Sequence, residues 1–186
     1  MVLQEPLTNI SDAYQVFSKA VEQEQAEIRK VDRGTMLSFS DGVTLQILGP
    51  DSTFIAQENP QGVTEQDNPP SLIVHLTYHS FDLLLNGDSD GEDLELFVPV
   101  GFMSEVLQLP HHGSKNGYTA SAAKKIIPEI AVISSGKNNS YGHPHKAVFN
   151  ELQQHRSKIM RTDQIGHIHL IIDETGKISI PSGLSQ

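Results

Sequence analysis

The sequence predicts a layered α/β domain in which a mixed sheet is flanked by helices. Two observations support this prediction. Short apolar, β-branched runs alternate with helical patterns along the second half of the chain, and turns containing Gly or Pro separate them. The 186 residues, of which 37% are apolar, are also enough for one domain with a buried core.

The first third of the chain predicts one helix, a hairpin and a loop. Apolar residues recur at helical spacing from about Ile10 to Ile28, behind a cap at Ser11 or Asn9. We therefore divide the chain into a leading helix over residues 1–33 and a region from 34 to 181. The Gln- and Asn-rich stretch from Asp51 to Pro70 is expected to be a loop.

The remaining elements follow from the spacing of apolar residues and from the turns between them. Predicted helices cover Asp90–Glu95, Ala120–Ile127, which Pro128 ends, and Lys146–His155. Predicted strands cover residues 35–39, 43–48, 72–78, 81–85, 106–109, 130–134, 168–172 and 177–180.

Composition limits the functions that the chain can have. It has no cysteine, so a metal would be held by imidazole and carboxylate groups. Its formal net charge of −10 disfavours a general DNA-coating protein, although divalent cations in a cleft can reverse the local potential. No stretch approaches the roughly 20 apolar residues of a spanning helix. We therefore expect a soluble piece.

Three apolar runs each end at residues that can bind metals. Asp88 follows the run that ends in Asn86-Gly87, His111 and His112 follow the strand that ends at Leu109, and His143 lies beyond the strand that ends at Ser134. Loops at one edge of an α/β sheet converge, so these side chains can meet. Imidazole plus carboxylate is a ligand set that zinc, manganese or iron accept at hydrolytic sites.

Each cluster also has a purely structural interpretation. Gly87-Asp88 alone is typical of a turn, the paired histidines of a capped loop, and His143-Pro144-His145 of the start of a helix. Taken together, however, the three clusters favour a metal or phosphate site. Covalent catalysis by Ser114 is disfavoured because the Gly-x-Ser-x-Gly signature is absent.

The order of these motifs resembles the late portion of the ComEC competence family. The resemblance covers about residues 34–180, and it rests on Asn86-Gly87-Asp88, on the strand that runs into Pro110-His111-His112-Gly113-Ser114, on the segment 131–145 with its Asn139-Ser140-Tyr141-Gly142-His143-Pro144 run, and on Arg161-Thr162-Asp163-Gln164.

The resemblance implies the second half of an αββα metallo-β-lactamase fold whose metal pair activates water against a phosphodiester such as DNA. It implies divalent metal, zinc or manganese, with up to two ions in a complete domain. Asp88 would bridge the ions, His111 or His112 would supply a late histidine ligand, and His143 would be a ligand or a donor to the phosphate. We expect Ser114, Asn139 and His145 to contact substrate.

The sequence departs from the family pattern in its first part. The early His-x-His-x-Asp-His type of motif, which supplies most metal ligands, does not occur. We therefore expect a fragment or split gene product whose activity needs a missing segment. A smaller departure is Gly117, where the family pattern predicts serine. The resemblance also implies a membrane-embedded parent that imports single-stranded DNA, with this domain outside the cytoplasm.

Two other functions stay open at this point. The same fold also serves hydrolases of small phosphoesters or phosphorylcholine-type esters, which share the His-His-Gly element. Alternatively, the chain is a non-catalytic module that keeps the sheet and has lost the chemistry. The absent early motif favours this last interpretation, and the clusters at Asp88, His111 and His143 oppose it.

Overall fold

The computed structural model describes residues 1–64 and 70–181. The strands are β1 (Val2–Gln4), β2 (Thr8–Asn9), β3 (Ile28–Lys30), β4 (Met36–Ser38), β5 (Thr44–Gly49), β6 (Val63–Thr64), β7 (Ile73–Tyr78), β8 (Phe81–Leu85), β9 (Phe102–Gln108), β10 (Ile126–Ile133), β11 (Lys158–Arg161), β12 (Ile171–Ile172) and β13 (Ile178–Ser179). The helices are α1 (Asp12–Gln23), α2 (Ser52–Glu58), α3 (Gly91–Phe97), α4 (Ala120–Lys125), α5 (Lys146–Gln154) and α6 (Thr162–Ile165).

A seven-stranded mixed sheet organises the fold, in the order β11-β10-β9-β8-β7-β5-β4. The three pairs from β8 to β11 are parallel, and the pairs from β8 to β4 are antiparallel. The carboxyl ends of β8, β9, β10 and β11 therefore lie at one edge of the sheet. The predicted α/β class with a mixed sheet is confirmed.

Helices α3, α4 and α5 pack on one face of the sheet. Their buried side chains, which include Leu94, Ala122 and Leu152, meet Leu107 and Ile133 from the sheet in one cluster. Each large apolar side chain that is fully buried in this cluster contributes about 1.5–3 kcal/mol to stability.

A second cluster lies on the other face of the sheet, and none of its described residues belongs to a helix. Phe81, Val106, Ile130 and Met160 are covered there by apolar residues of the segment 168–180, which includes β12 and β13. Helices α3, α4 and α5 thus lie on one face of the sheet, and the short antiparallel hairpin of β12 and β13 lies on the other.

A helix, α1, lies within the stretch from Ile10 to Ile28 where one is expected, but it is shorter than that stretch. The Ser11 hydroxyl accepts the Tyr14 N–H and caps α1, and the helix ends at Gln23. The region 1–33 also contains three strands, since β1 pairs with β3 and β2 pairs with β6. Within residues 1–64 and 70–181, no helix is long and apolar enough to cross a bilayer.

The expected loop from Asp51 to Pro70 is wrong in its first part. Asp51 caps α2 by accepting the Phe54 N–H at 2.8 Å, and Ile55 is buried. Phe54 packs edge-on against Phe97, with ring centroids 5.2 Å apart. These two apolar anchors outweigh the polar composition of the segment. Residues 65–69 of the expected loop lie outside the described residues.

The helix predicted to end at Pro128 ends earlier, at Lys125. Ile126, Ile127 and Pro128 already belong to β10, where Ile126 is fully buried. The residue before a proline is sterically driven into extended backbone, which explains the strand conformation of Ile127. The Pro128 carbonyl accepts the Ser157 hydroxyl at 2.7 Å.

Candidate active site

The chemically capable side chains follow the carboxyl ends of the four parallel strands. Asp88 comes three residues after β8, and His111 and His112 come three and four residues after β9. The loop that carries His143 links β10 to α5, and Thr162 follows β11. The sheet topology thus brings together the three predicted clusters and adds a fourth segment.

A network of hydrogen bonds to buried groups fixes the turn that presents Asp88. The buried Asn86 amide donates to the Gln108 carbonyl at 2.7 Å, and the Gln108 side chain accepts the N–H groups of Asn86 and Gly87. The Ser71 hydroxyl accepts the Asp88 N–H at 3.0 Å. Gly87 has a φ of 53°, and a Cβ there would lie only 3.0 Å from Ser71.

The histidine turn is held in an unusual backbone conformation. His111, His112 and Gly113 have φ values of 48°, 55° and 79°, so three successive residues are left-handed. A non-glycine residue in this region costs about 1–3 kcal/mol, which contacts with its surroundings must offset. Here the His111 N–H donates to the Gly87 carbonyl at 3.0 Å, and the Gly113 carbonyl accepts the His145 N–H at 2.8 Å.

The His112 ring is oriented by a backbone carbonyl. Its Nδ1 lies 2.8 Å from the Ser134 oxygen, and because a carbonyl only accepts, Nδ1 carries the proton. In the neutral ring, Nε2 therefore presents a lone pair, and it lies 3.6 Å from Asp88 Oδ1. A lone pair and a carboxylate that face each other need a cation or a proton between them. This is the arrangement of a metal-binding histidine whose other nitrogen donates to a carbonyl.

The His111 ring lies beside the first pair. Its Nδ1 is 3.5 Å from Asp90 Oδ1, which is within ion-pair range, but it is buried and makes no hydrogen bond. We regard the nitrogen as unsatisfied, since 3.5 Å is longer than an ordinary N–H···O bond. The His111 and His143 rings are 6.1 Å apart between centroids.

The neighbouring histidines also affect the pKa of His143. Burial lowers this pKa below its usual value, and the charges of His111, His112 and His145 lower it further. His143 is therefore a neutral imidazole at pH 7, which is the form that binds a metal. A cavity of about 140 Å³ opens beside it, and is lined by His112, Ser135, Gly136, Asn139, Tyr141 and His143.

The three residues expected to contact substrate have structural partners. The buried Ser114 hydroxyl accepts the Gly117 N–H at 2.9 Å. The Asn139 amide accepts the His143 N–H and donates to the carbonyls of Gly136 and His143. His145 Nδ1 accepts the Ala147 N–H and caps α5. Of these three, Asn139 lines the cavity, and contact with substrate stays a prediction for all of them.

Sequence reasoning missed the support that comes from the end of β11. The Thr162 hydroxyl accepts the Ser135 N–H at 2.9 Å and lies 2.9 Å from the Ser135 carbonyl. The Ser135 hydroxyl donates to Asp163, whose pKa is lowered mainly by its hydrogen bonds from Arg161. A signal exists, because Arg161-Thr162-Asp163 belongs to the family-like motifs, but the strand before it is too short to leave a pattern.

The described residues fit part of a metal site. Two ligands that each lie ~2.1 Å from one tetrahedral ion are ~3.4 Å apart, so the 3.6 Å between His112 Nε2 and Asp88 Oδ1 suits a shared ion. However, no group of three or more His, Asp or Glu side chains that could hold a metal occurs within residues 1–64 and 70–181. These residues alone thus make an incomplete ligand set.

Three curated proteins resemble this chain over most of its length. ComE operon protein 3 of Bacillus subtilis strain 168 is 32% identical over 152 residues, which are 81% of the chain. Recombination protein 2 of Haemophilus influenzae is 29% identical, and competence protein ComA of Neisseria gonorrhoeae is 32% identical, each over 69% of the chain. The matched segments are only 15 to 19% of these relatives' own lengths.

No protein-family profile matches the chain. A solved protein from Parabacteroides distasonis, whose name assigns it provisionally to the metal-dependent hydrolases, superposes with a TM-score of 0.47 and 10% identity. The superposition covers 78% of this chain and 61% of that protein.

Proposed function

We propose, from the premise that this chain belongs to the ComEC-type competence family, that it forms the late half of a metal-dependent phosphodiesterase domain. Its substrate would be DNA or a related phosphodiester. One relative is named a competence protein, one a ComE operon protein and one a recombination protein, which supports a role in DNA uptake. We also propose that the parent protein is membrane-embedded and that this domain lies outside the cytoplasm.

The observation that supports a metal most directly is the facing pair of Asp88 and His112. The proton on Nδ1 is fixed by the Ser134 carbonyl, so Nε2 is free to bind an ion that Asp88 also contacts. His111, with a buried and unsatisfied nitrogen, and the neutral His143 are the adjacent candidate ligands. All four residues follow the carboxyl ends of the parallel strands, at one edge of the sheet.

The remaining ligands would come from a segment of the parent protein outside this chain. The αββα metallo-β-lactamase fold that the family resemblance implies supplies most ligands from its first half. A divalent ion, zinc or manganese, would lower the pKa of a bound water and polarise a phosphoryl oxygen. The chain's own groups would then bind the ion and orient the substrate: Asp88 and His112 would hold the ion, and His143 lines the cavity beside it.

Metal titration of the chain tests this proposal. Mn²⁺ or Zn²⁺ is expected to raise the unfolding temperature of the wild type, by an amount equivalent to about 2.7 kcal/mol at one hundred times the dissociation constant. Asp88→Asn should abolish the rise, because it removes the carboxylate that faces His112. Asp12→Asn, an equal change of charge at an exposed position in α1, is the control and should retain it.

A non-catalytic module is the second candidate, and the missing third ligand within the described residues favours it. Such a module would bind neither ion, and its thermal unfolding would be the same for the wild type and for Asp88→Asn. Equal stabilisation of both proteins by metal would also contradict the proposed site. Joining the chain to the early part of a relative and assaying hydrolysis of DNA and of a small phosphodiester would identify the substrate class.

A further inference from the structure

We infer that Tyr141, stacked on His143, is a platform for a nucleobase of a single-stranded nucleic acid. The inference rests on the proposed function and names the part of the substrate that the site would hold beside the scissile phosphate. Tyr141 is 82% exposed, whereas Phe39, another exposed aromatic residue, is 43% exposed. An aromatic ring this exposed beside a cavity is available for a ligand.

The position of the ring relative to the candidate ligands is suited to stacking. The Tyr141 and His143 rings are 5.8 Å apart between centroids and inclined by 26°, and Tyr141 stays 82% exposed, so most of its ring surface is open to a ligand. Tyr141 lines the same cavity as His112. A base stacked on Tyr141 would therefore lie beside the cavity that His112 also lines.

The loop is organised before any ligand binds. The Asn139 side chain makes three hydrogen bonds within residues 136–143, and they hold the His143 backbone in place. Gly142, with a φ of 70° and no atom within 4 Å of where a Cβ would lie, turns the chain between the two rings. A preorganised platform loses little conformational entropy when it binds.

The positive charge of the loop formed by residues 135–146 favours binding of a polyanion. The whole chain has 23 acidic and 13 basic residues, but residues 135–146 contain two lysines, two histidines and no acidic residue. Lys137 and Lys146 are both exposed. Phosphates would be attracted to this loop, and a quaternary ammonium such as choline would be repelled. An aromatic cage, which choline needs, is also absent from the cavity lining.

Fluorescence anisotropy of a labelled twelve-residue oligothymidylate, in EDTA to prevent cleavage, tests the platform. Tyr141→Ala should weaken binding by about 5- to 150-fold, since stacking of one base contributes about 1–3 kcal/mol. Tyr141→Phe should bind within about twofold of the wild type, because the ring is kept. Phe39→Ala, which removes an exposed ring in the β4–β5 turn, is the matched control and should have no effect.

An abasic oligonucleotide and phosphocholine complete the experiment. The wild type should bind the abasic strand as weakly as Tyr141→Ala does, and phosphocholine should not compete. The inference is overturned if the wild type does not bind oligothymidylate, if Tyr141→Ala binds it normally, if the abasic strand binds equally well, or if phosphocholine competes. Metal stabilisation that Asp88→Asn abolishes would survive each of these results, so the platform can fail while the metal site stands. Conversely, if the chain binds the oligonucleotide as expected but binds no metal, the proposed metal site fails and the platform stands.

Discussion

Gly113 allows the histidine turn to lie close to the loop that carries His143. Its φ of 79° is left-handed, and a Cβ at this position would lie 2.6 Å from Pro144 Cβ. Any side chain at position 113 would therefore push the His112 turn away from the loop that carries His143. Glycine is required here both for its backbone conformation and for the close approach of two site segments.

Gly113→Ala should therefore destabilise the protein by more than about 2 kcal/mol, from strain plus steric overlap. Gly101→Ala is the matched control, because Gly101 has a similar φ of 75° but nothing within 4 Å of an added Cβ. It should cost only about 1 kcal/mol. Urea denaturation measures both values, and equal losses would show that the contact with Pro144 is unimportant.

His75 gives the folded state a dependence on pH. Burial lowers its pKa below the ordinary value, and the nearby Asp82 only partly opposes this, while Nε2 is buried without a hydrogen-bond partner. The unfolded chain therefore binds the proton more readily. The contribution of His75 to stability is full above the unfolded pKa of 6.5 and is lost as the pH falls from there toward the folded pKa.

The free energy of unfolding should consequently decrease between pH 7.5 and pH 5.5. The decrease should be smaller in His75→Gln, which cannot titrate. Urea denaturation at several pH values gives this comparison, and an identical pH dependence in both proteins would rule out His75 as a source. His143, whose pKa is also lowered, remains present in both proteins and cancels.

At the scale of elements, β11 and α6 support the site although they supply no candidate ligand. Thr162 binds both backbone groups of Ser135, and the neighbouring Ser134 carbonyl orients His112. These contacts link the ends of three neighbouring strands: Thr162 follows β11, Ser134 and Ser135 follow β10, and His112 follows β9. Thr162 is thus a positioning residue.

Thr162→Val should weaken Mn²⁺ or Zn²⁺ binding by about 10-fold, as loss of support for a metal-binding histidine commonly does. Thr162→Ser keeps the hydroxyl and should restore the affinity. Nitrogen chemical shifts of the His112 ring would show whether the Nδ1-protonated form is lost in the valine variant. A valine variant with normal affinity and an unchanged ring would remove this role.

The elements that can be predicted from the sequence are those with strong periodicity or clear turns. The β7–β8 hairpin, α5 and the apolar runs before Asp88 and His111 are predictable because buried strands and amphipathic helices leave regular patterns. The short helix α2 and the early start of β10 are missed, since two packed side chains or one proline determine them. Such tertiary contacts leave no period in the sequence.

The candidate site could be predicted as a set of residues but not as a geometry. Which ring faces Asp88 is open in the sequence, and the structure assigns that position to His112 because the Ser134 carbonyl fixes its proton. A backbone carbonyl is present in every residue, so no sequence signal marks this one. The exposed state of Tyr141 is equally hidden, because it depends on how the loop packs.

On the scale of the whole molecule, an acidic body carries a locally basic loop beside the candidate site. The formal charge of −10 would repel nucleic acid from most of the surface, while residues 135–146 would attract it. Screening limits such fields to about 8 Å at physiological salt. The loop would therefore influence the orientation in which a nucleic-acid strand binds more than it influences the affinity of the protein for that strand.

The parallel order of β8 to β11 also determines when the site comes into existence. Its parts lie between Asp88 and Asp163, and neighbouring parallel strands are joined by long crossovers rather than tight turns. Closing these loops costs entropy before any pairing is gained, which slows folding. The candidate site would therefore take its final geometry only after β11 has paired with β10, because Thr162 at the end of β11 holds Ser135, next to the Ser134 carbonyl that orients His112.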